Sequence, residues 1–530
     1  METSPSLEEA SRNRLAKSQS WSNHVSIQNM SKLVAVVSLS FAFACAYIVL
    51  APISNQRVDC SLITTTRSGL SSSNEASFLD STANYSLSSV LPRFLHHPAR
   101  TPEASITLDQ TSSPVPSATG STGTTLGNIV FGIGASSQTW EQRHKYIKLW
   151  WKPGIMRGYA WLDEPVKNWP DSLPPYRISE NTSHFENARM VGPRSAIRIS
   201  RIVSEAYRLK LPNVHWFVMG DDDTVFVAEN LVQVLSKYDH NLFYYIGSNS
   251  ESHRQSLHFS TEMAFGGGGF AISYALAKSF ESMQDACLHR YPTMYGSDQR
   301  VHACMTELGV PLTKELGFHQ MDIHGDAFGI LSAHPLAPLV SMHHLNAIKP
   351  LFPNMSQDQA VQHLLKATQV DPAGILQQSI CYDRKRSWSL SVSWGYVVQV
   401  FRGILPPKEL QIPTRTFVSW IEFSDKAFTF KTRPLPNDTC LHPIRFYLEN
   451  VAYGGNKHST TIYKRAQATA NDCSLEMASH STLKSIRVVK EKVSAAWFKV
   501  RRRQCCRLID SDTTHLHIYV GSCREGEIIA

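Results

Sequence analysis

Trp216-Phe-Val-Met-Gly-Asp-Asp-Asp-Thr-Val-Phe226 is the stretch on which the reading of this chain turns. An apolar run carries straight into the consecutive carboxylates of Asp221, Asp222 and Asp223 and then resumes. Side chains on a strand alternate faces, so continued extended backbone would point Asp221 and Asp223 the same way. Two carboxylates converging at a strand end make a hard oxygen site for a divalent cation, of the kind that also meets diphosphate oxygens. Gly220 and an Asp run are equally ordinary material for an acidic surface turn. The triplet alone leaves both readings open.

Working outward, Asn128-Ile-Val-Phe-Gly-Ile-Gly134 reads as a short buried strand, and the segment from Ser136 to Trp151 opens like a helix. Tyr159-Ala-Trp-Leu-Asp163 gives a second strand. Ser195 to Leu209 places Ile197, Ile199, Val203 and Ala206 at amphipathic helix spacing. A helix over 229–237 and a strand over 243–247 follow the triplet. Strands alternating with helices predict an α/β fold with a largely parallel sheet. Ligands of such sheets gather outside the strand carboxyl ends, where the triplet sits.

Three further segments carry chemistry. Phe265-Gly-Gly-Gly-Gly-Phe270 contains Gly267 and Gly268, whose lack of a side chain permits close backbone approach to a ligand or simply a flexible turn. It lacks the Lys-Ser/Thr of a nucleotide P-loop. In Tyr295-Gly-Ser-Asp-Gln-Arg300, Asp298 opens a helix, either as a cap or as a general base near an acceptor hydroxyl. Histidines at His319, His343 and His344 could complete the coordination that two carboxylates begin.

With these landmarks in order, residues from about 128 to 350 resemble the Fringe-like glycosyltransferases of glycosyltransferase family 31, particularly their plant branch. The segments Glu307-Leu-Gly-Val-Pro-Leu312, ahead of Phe318-His319, and His334-Pro-Leu-Ala-Pro-Leu-Val-Ser-Met-His-His344 add to that resemblance, as does the block from Trp388 to Tyr396. The resemblance implies a GT-A-type, Rossmann-like catalytic domain, a UDP-sugar donor and Mn²⁺. It also implies an inverting, β-1,3-type transfer of a hexose (galactose or N-acetylglucosamine type) to a glycan or glycoprotein. Carried over by motif, Asp223 would ligate the metal, Asp221 or Asp222 would meet the donor ribose or the metal's waters, and Asp298 would be the base. Fringe-type proteins show Phe-His-x-His, whereas this chain has Phe318-His319-Gln320-Met321. Val340-Ser-Met-His343 resembles a segment of galactose-transferring relatives, so the metal set implied is Asp221, Asp223 and His343, with His344 and His319 as alternatives. Asp163 would contact uracil.

The rest of the 530 residues bound this reading. The net charge of +8 lies largely toward the termini, at Arg12, Arg14 and Lys17 and again at Arg501, Arg502 and Arg503. That placement argues against nucleic-acid binding, which concentrates charge on a folded face. Residues 33–53 carry no charge and match the length of a bilayer-spanning helix. Basic residues before them predict residues 1–32 as a cytosolic tail and a single-pass type II anchor, with the remainder across the membrane. That this is the Golgi membrane, with the remainder lumenal, is what the family resemblance implies. Residues 54–125 are Ser/Thr/Pro-rich and read as a stem. Residues 126–370 form the expected catalytic domain and 371–530 a mostly β, disulfide-braced accessory region. Asn84, Asn181, Asn354 and Asn437 open glycosylation sequons, and Cys287 with Cys304 bracket one short segment as plausible partners. Two functions from different classes follow: an active transferase, or a Golgi glycan-binding or assembly protein that keeps the fold without useful turnover. A phosphoryl-transfer enzyme ranks behind both for want of a Lys-bearing loop. Oligomeric state stays open.

Overall fold

The structure, a computed structural model, describes residues 123–186, 192–421, 429–455, 457–466 and 482–529. The expected cytosolic tail, membrane span and all but the last few stem residues lie outside these ranges. Among the described residues no helix is long and apolar enough to cross a membrane.

The central sheet is built from β1 (Ile129–Gly134), β2 (Arg157–Leu162), β3 (Tyr176–Ile178) and β4 (Trp216–Asp221), continued by three later strands. After β5 (Val225–Phe226) come β6 (Tyr245–Gly247), β7 (Phe270–Ser273) and β8 (Leu312–Lys314). The sheet order is β3-β2-β1-β4-β7-β6-β8. β1 and β4 are apolar on both faces and are covered on both, as central strands of an α/β sheet require. The sheet is largely parallel, as expected, with one exception: β7 runs antiparallel to both β4 and β6. The reason is the Gly266–Gly269 turn, closed by Gly269 N–H donating to the Gly266 carbonyl, which sends the chain back along β4.

The single helix expected over 195–209 is two, Ser195–Ser200 and Ile202–Arg208, separated by a turn at Arg201. The Arg201 guanidinium there meets Glu180, Glu205 and Asp285 at 2.9, 3.3 and 2.9 Å. The helices Tyr274–Arg290 and Ser297–Glu307 pack together and are joined by the Cys287–Cys304 disulfide.

A small sheet, β5-β11-β9, sits beside the end of β4, with β9 at Phe318–His319 and β11 at Ser341–Met342. Between them β10 (Ile323–Gly325) pairs with β15 (Phe417–Ser419). The C-terminal region is an eight-stranded sheet of β12 (Gln378–Asp383), β13 (Trp388–Ser393), β14 (Val397–Arg402) and β16 (Ile444–Tyr453), followed by β17 (His458–Arg465), β18 (Ser485–Glu491), β20 (His515–Gly521) and β19 (Cys505–Ser511). Its neighbours are antiparallel except β18 and β20. The Cys381–Cys506 disulfide ties edge strand β12 to edge strand β19, so the sheet curls until its ends meet. That arrangement hides edges that would otherwise template further pairing. One continuous apolar core runs from Ile129 through Val520, so the described residues before 371 and the C-terminal region are packed as a single unit.

Candidate metal centre and active site

β4 ends at Asp221, and the backbone turns at once. Asp222 N–H donates to the Gly134 carbonyl on β1, and Thr224 N–H donates to the Asp221 carbonyl at 3.0 Å. The Thr224 hydroxyl accepts from Asp221 N–H at 2.8 Å and donates to the Gly267 carbonyl at 2.7 Å. Asp221 and Asp223 therefore converge through a turn, not through strand alternation. The turn separates three adjacent carboxylates by sending Asp222 toward Arg143, 3.0 Å away.

His343 completes the group. It follows β11, which is held between β5 and β9, so pairing on both sides fixes where the ring is delivered. His343 Nε2 lies 3.1 Å from Asp223 Oδ1 and 3.7 Å from Asp221 Oδ2. One ligand atom from each of the three residues lies within 4.8 Å of the others. Asp223 is fully buried, and neither of its oxygens has a well-formed hydrogen bond: His343 Nε2 at 3.1 Å and an Arg143 nitrogen at 3.5 Å are its polar neighbours, and His343 Nδ1 is buried without a partner. Buried carboxylate oxygens left so are costly unless a cation meets them. Two carboxylates and an imidazole fit a divalent first-row ion such as Mn²⁺.

The electrostatics point the same way. Burial, with Asp223 and Asp222 alongside, pushes the Asp221 carboxyl up to about 7 despite the opposing pull of His343. Burial also raises Asp223, but His343 and Arg143 more than offset it and hold that carboxyl well below the usual range. Burial lowers His343, and its two aspartate neighbours outweigh this and raise it. The carboxyl groups crowd one another at the cluster, and His343 and Arg143, the latter 3.5 Å from Asp223, supply the opposing positive charge.

Asp298 opens the helix Ser297–Glu307. Its Oδ2 accepts from Gly266 N–H at 3.3 Å and its Oδ1 from Gln299 N–H at 2.9 Å, while burial raises its pKa. A cavity of about 20 Å³, room for roughly one water, is lined by both Asp221 and Asp298.

The remaining candidates divide between this cluster and other parts of the fold. Asp163 is tied into the loop after β1, accepting from Ser137 N–H at 2.7 Å and the Ser136 hydroxyl at 3.0 Å, apart from the cluster. Gly267 faces His343 closely, and Gly268 N–H donates to Gln320 Oε1 at 2.7 Å. His319 bonds Glu251 and His334, both at 2.8 Å. His344 turns away through a left-handed backbone, φ 53°, and stacks on Trp420 with centroids 4.2 Å apart. Trp420 stacks on His324 as well, at 4.4 Å. Sequence reading missed Arg143 and Trp420. Arg143 carried no motif of its own, and Trp420 reaches the site only because β15 pairs with β10.

The profile of a family described as "Protein of unknown function, DUF604" matches residues 255–506. No curated protein matches the chain. Among solved structures, the galactosyltransferase LgtC in complex with donor and acceptor sugar analogs is similar over 44% of this chain and 94% of its own, at 12% identity and a TM-score of 0.28. Mouse xyloside xylosyltransferase 1, apo form, is similar over 34% of this chain and 81% of its own, at 7% identity and a TM-score of 0.23. At these scores neither likeness bears on the reaction.

Proposed function

We propose that the chain is a metal-dependent, inverting glycosyltransferase of GT-A type that moves a hexose from a UDP-sugar to a glycan or glycoprotein acceptor, forming a β-1,3 linkage. Its carrying observation is the convergence of the buried Asp223 carboxylate with Asp221 and His343, whose ligand atoms lie within 4.8 Å of one another. The family 31 resemblance of residues 128–350 supports the same reading.

Asp221, Asp223 and His343 would hold the divalent ion, which when bound supplies Lewis-acid stabilisation of a diphosphate leaving group. Asp298, raised by burial and oriented by Gly266 and Gln299 N–H groups, takes the proton of the acceptor hydroxyl as it attacks the anomeric carbon. Arg143, partly exposed beside Asp222 and Asp223, keeps the carboxylates apart and adds positive charge at the rim. The setting we propose is the Golgi membrane, type II, with the described residues lumenal. The uncharged run over 33–53, the disulfides Cys287–Cys304, Cys381–Cys506 and Cys505–Cys523, and the exposed sequon residues Asn181, Asn354 and Asn437 support it.

The test is transfer by the full-length chain from UDP-galactose and UDP-N-acetylglucosamine, with Mn²⁺ and with EDTA. Asp223→Ala should abolish activity and Mn²⁺ binding together. Asp298→Asn should slow turnover by roughly 10²–10⁴-fold while UDP and Mn²⁺ still bind. A wild-type chain that binds neither Mn²⁺ nor UDP would end this reading, and binding of both without transfer would leave the glycan-binding alternative.

A further inference from the structure

His319, singled out by its motif, does no work at the metal cluster. It belongs instead to a second carboxylate–imidazole group, Glu251–His319–His334, which borders a separate cavity of about 280 Å³. That cavity opens into a wider groove of about 570 Å³, and the two share Asn249, Ser250, Glu251, Lys314, Phe430 and Lys431. Together they fall in the size range of small-molecule sites, about 300–1,000 Å³.

Hydrogen-bond direction fixes what the cavity offers. His334 Nδ1 lies 2.8 Å from the Pro335 carbonyl, which can only accept, so Nδ1 carries the proton. Full burial keeps His334 neutral, so its Nε2 accepts and His319 Nε2 donates to it at 2.8 Å. The remaining proton lies between His319 Nδ1 and Glu251 Oε1, and Met321 N–H donates to Oε2 at 3.0 Å. Met321 holds a left-handed backbone, φ 55°, to make that bond. Such conformations are costly for non-glycine residues and cluster at functional sites. Whichever group holds the shared proton, Glu251 shows the cavity only acceptor lone pairs, on a carboxyl group clamped from both sides. Its side chain is 21% exposed, whereas His319 behind it is 3% exposed. Phe318, Phe417 and Phe430 stand in the same walls.

A clamped carboxyl group beside aromatic rings, with Lys314 and Lys431 as donors in the same walls, suits a ligand whose many hydroxyls both donate and accept and which also has an apolar C–H face. That is a saccharide. The segment His319–Asp322 links this cavity to the metal cluster: Gln320 bonds Gly268, and Asp322 bonds Ser250 at 2.5 Å and lies 3.6 Å from His344. We propose that the Glu251 cavity binds a non-reacting sugar residue of the acceptor, its hydroxyls donating to Glu251 and its ring face against Phe430. The inference rests on the transferase reading for the word acceptor, but not for the binding of a saccharide.

The test applies full-length wild-type, Glu251→Gln and Phe430→Ala chains to a printed array of neutral oligosaccharides without donor, with UDP and Mn²⁺ binding measured separately by calorimetry. Wild type should bind a subset of the array. Glu251→Gln should weaken that binding by roughly tenfold, with UDP and Mn²⁺ binding and the melting midpoint unchanged. Phe430→Ala should weaken it too, and its melting midpoint guards against misfolding. Absence of saccharide binding in wild type, or equal binding by Glu251→Gln, overturns the proposal. Glu251-dependent saccharide binding in a chain that ignores UDP and Mn²⁺ upholds the cavity and discards the transferase reading.

Discussion

Gly267 and His343 are in contact so close that no side chain fits between them: a Cβ at 267 would lie 2.0 Å from His343 Cε1 and 2.3 Å from Nδ1. The glycine run is therefore shaped at this position by a protein ring. The ring cannot give way freely, because β11 is paired on both edges and the His344 ring packs against it at a tilt, with centroids 3.7 Å apart. Gly267→Ala should push the imidazole off Asp223 and weaken Mn²⁺ binding by at least roughly tenfold, read by EPR titration. Overpacking should cost about 1–3 kcal/mol of stability. Gly266→Ala is the control, since its Cβ would meet nothing closer than Asp298 Cβ at 3.7 Å. Equal Mn²⁺ affinity in both variants would show that His343 is not held where metal binding needs it.

Trp420 acts on the cluster through His344. Its indole lies nearly parallel to that ring, at 9°, and also stacks on His324, so the left-handed turn at His344 is braced from the C-terminal region. Trp420→Ala should loosen the turn and weaken Mn²⁺ binding by roughly tenfold, with Asp298 untouched. Trp420→Phe keeps a ring in place and should restore most of the affinity. If Trp420→Ala binds Mn²⁺ as wild type does, the stack is packing alone.

The sequence made the elements around the triplet legible because each carries its own local signal. β1 and β4 are continuous apolar runs, and Asp298 stands just inside a helix start. His343 was reached through a motif resemblance, and the structure brings it beside Asp221 and Asp223. The way the two aspartates meet was not legible, because Thr224 makes the turn by bonding Gly267 across a separation of 43 residues. Nor was the antiparallel course of β7, which depends on strand pairing that no local pattern encodes. Trp420 and Glu251 are the clearest cases. Each is an ordinary residue in its own stretch and gains a role only from a partner that tertiary folding supplies.

Arg201 gathers three carboxylates, of which Glu180 and Asp285 already offset its charge. The third, Glu205, is buried, and burial lifts its carboxyl from 4.5 to about 7. The folded state therefore keeps a proton that the unfolded chain releases first. Stability from this group is fully present below about pH 4.5, falls as pH rises to about 7, and is flat above. The change is on the order of 3 kcal/mol at most. Glu205→Gln mimics the protonated carboxyl and should flatten that part of the stability profile, gaining on wild type as pH rises. Chemical denaturation across this pH range checks it. A variant less stable than wild type by the same margin at every pH would mean Glu205 is ionised in the fold throughout.

Lys490 on β18 and Asp371, which follows the helix Gln357–Val370, are buried to 1% and 3% exposure and paired at 2.5 Å. Lys490 also donates to the Glu491 carbonyl at 3.0 Å, and Asp371 Oδ1 accepts from Gly374 N–H at 3.2 Å, so both charges are well supplied with hydrogen bonds. The pair joins the curled C-terminal sheet to the segment that leaves the helix Gln357–Val370. Lys490→Met alone strands the Asp371 carboxylate and should cost about 3–5 kcal/mol, measured from urea midpoints. Adding Asp371→Asn, which retains the acceptor for Gly374, should recover most of that loss, because the cost lies in the unpaired charge and not in the missing contact. A single variant as stable as wild type would mean that the sheet is anchored by the shared apolar core alone. Mn²⁺ affinity should follow stability in this series only if Trp420 depends on that anchor to reach His344, which makes the same variants a measure of how far the C-terminal region governs the metal cluster.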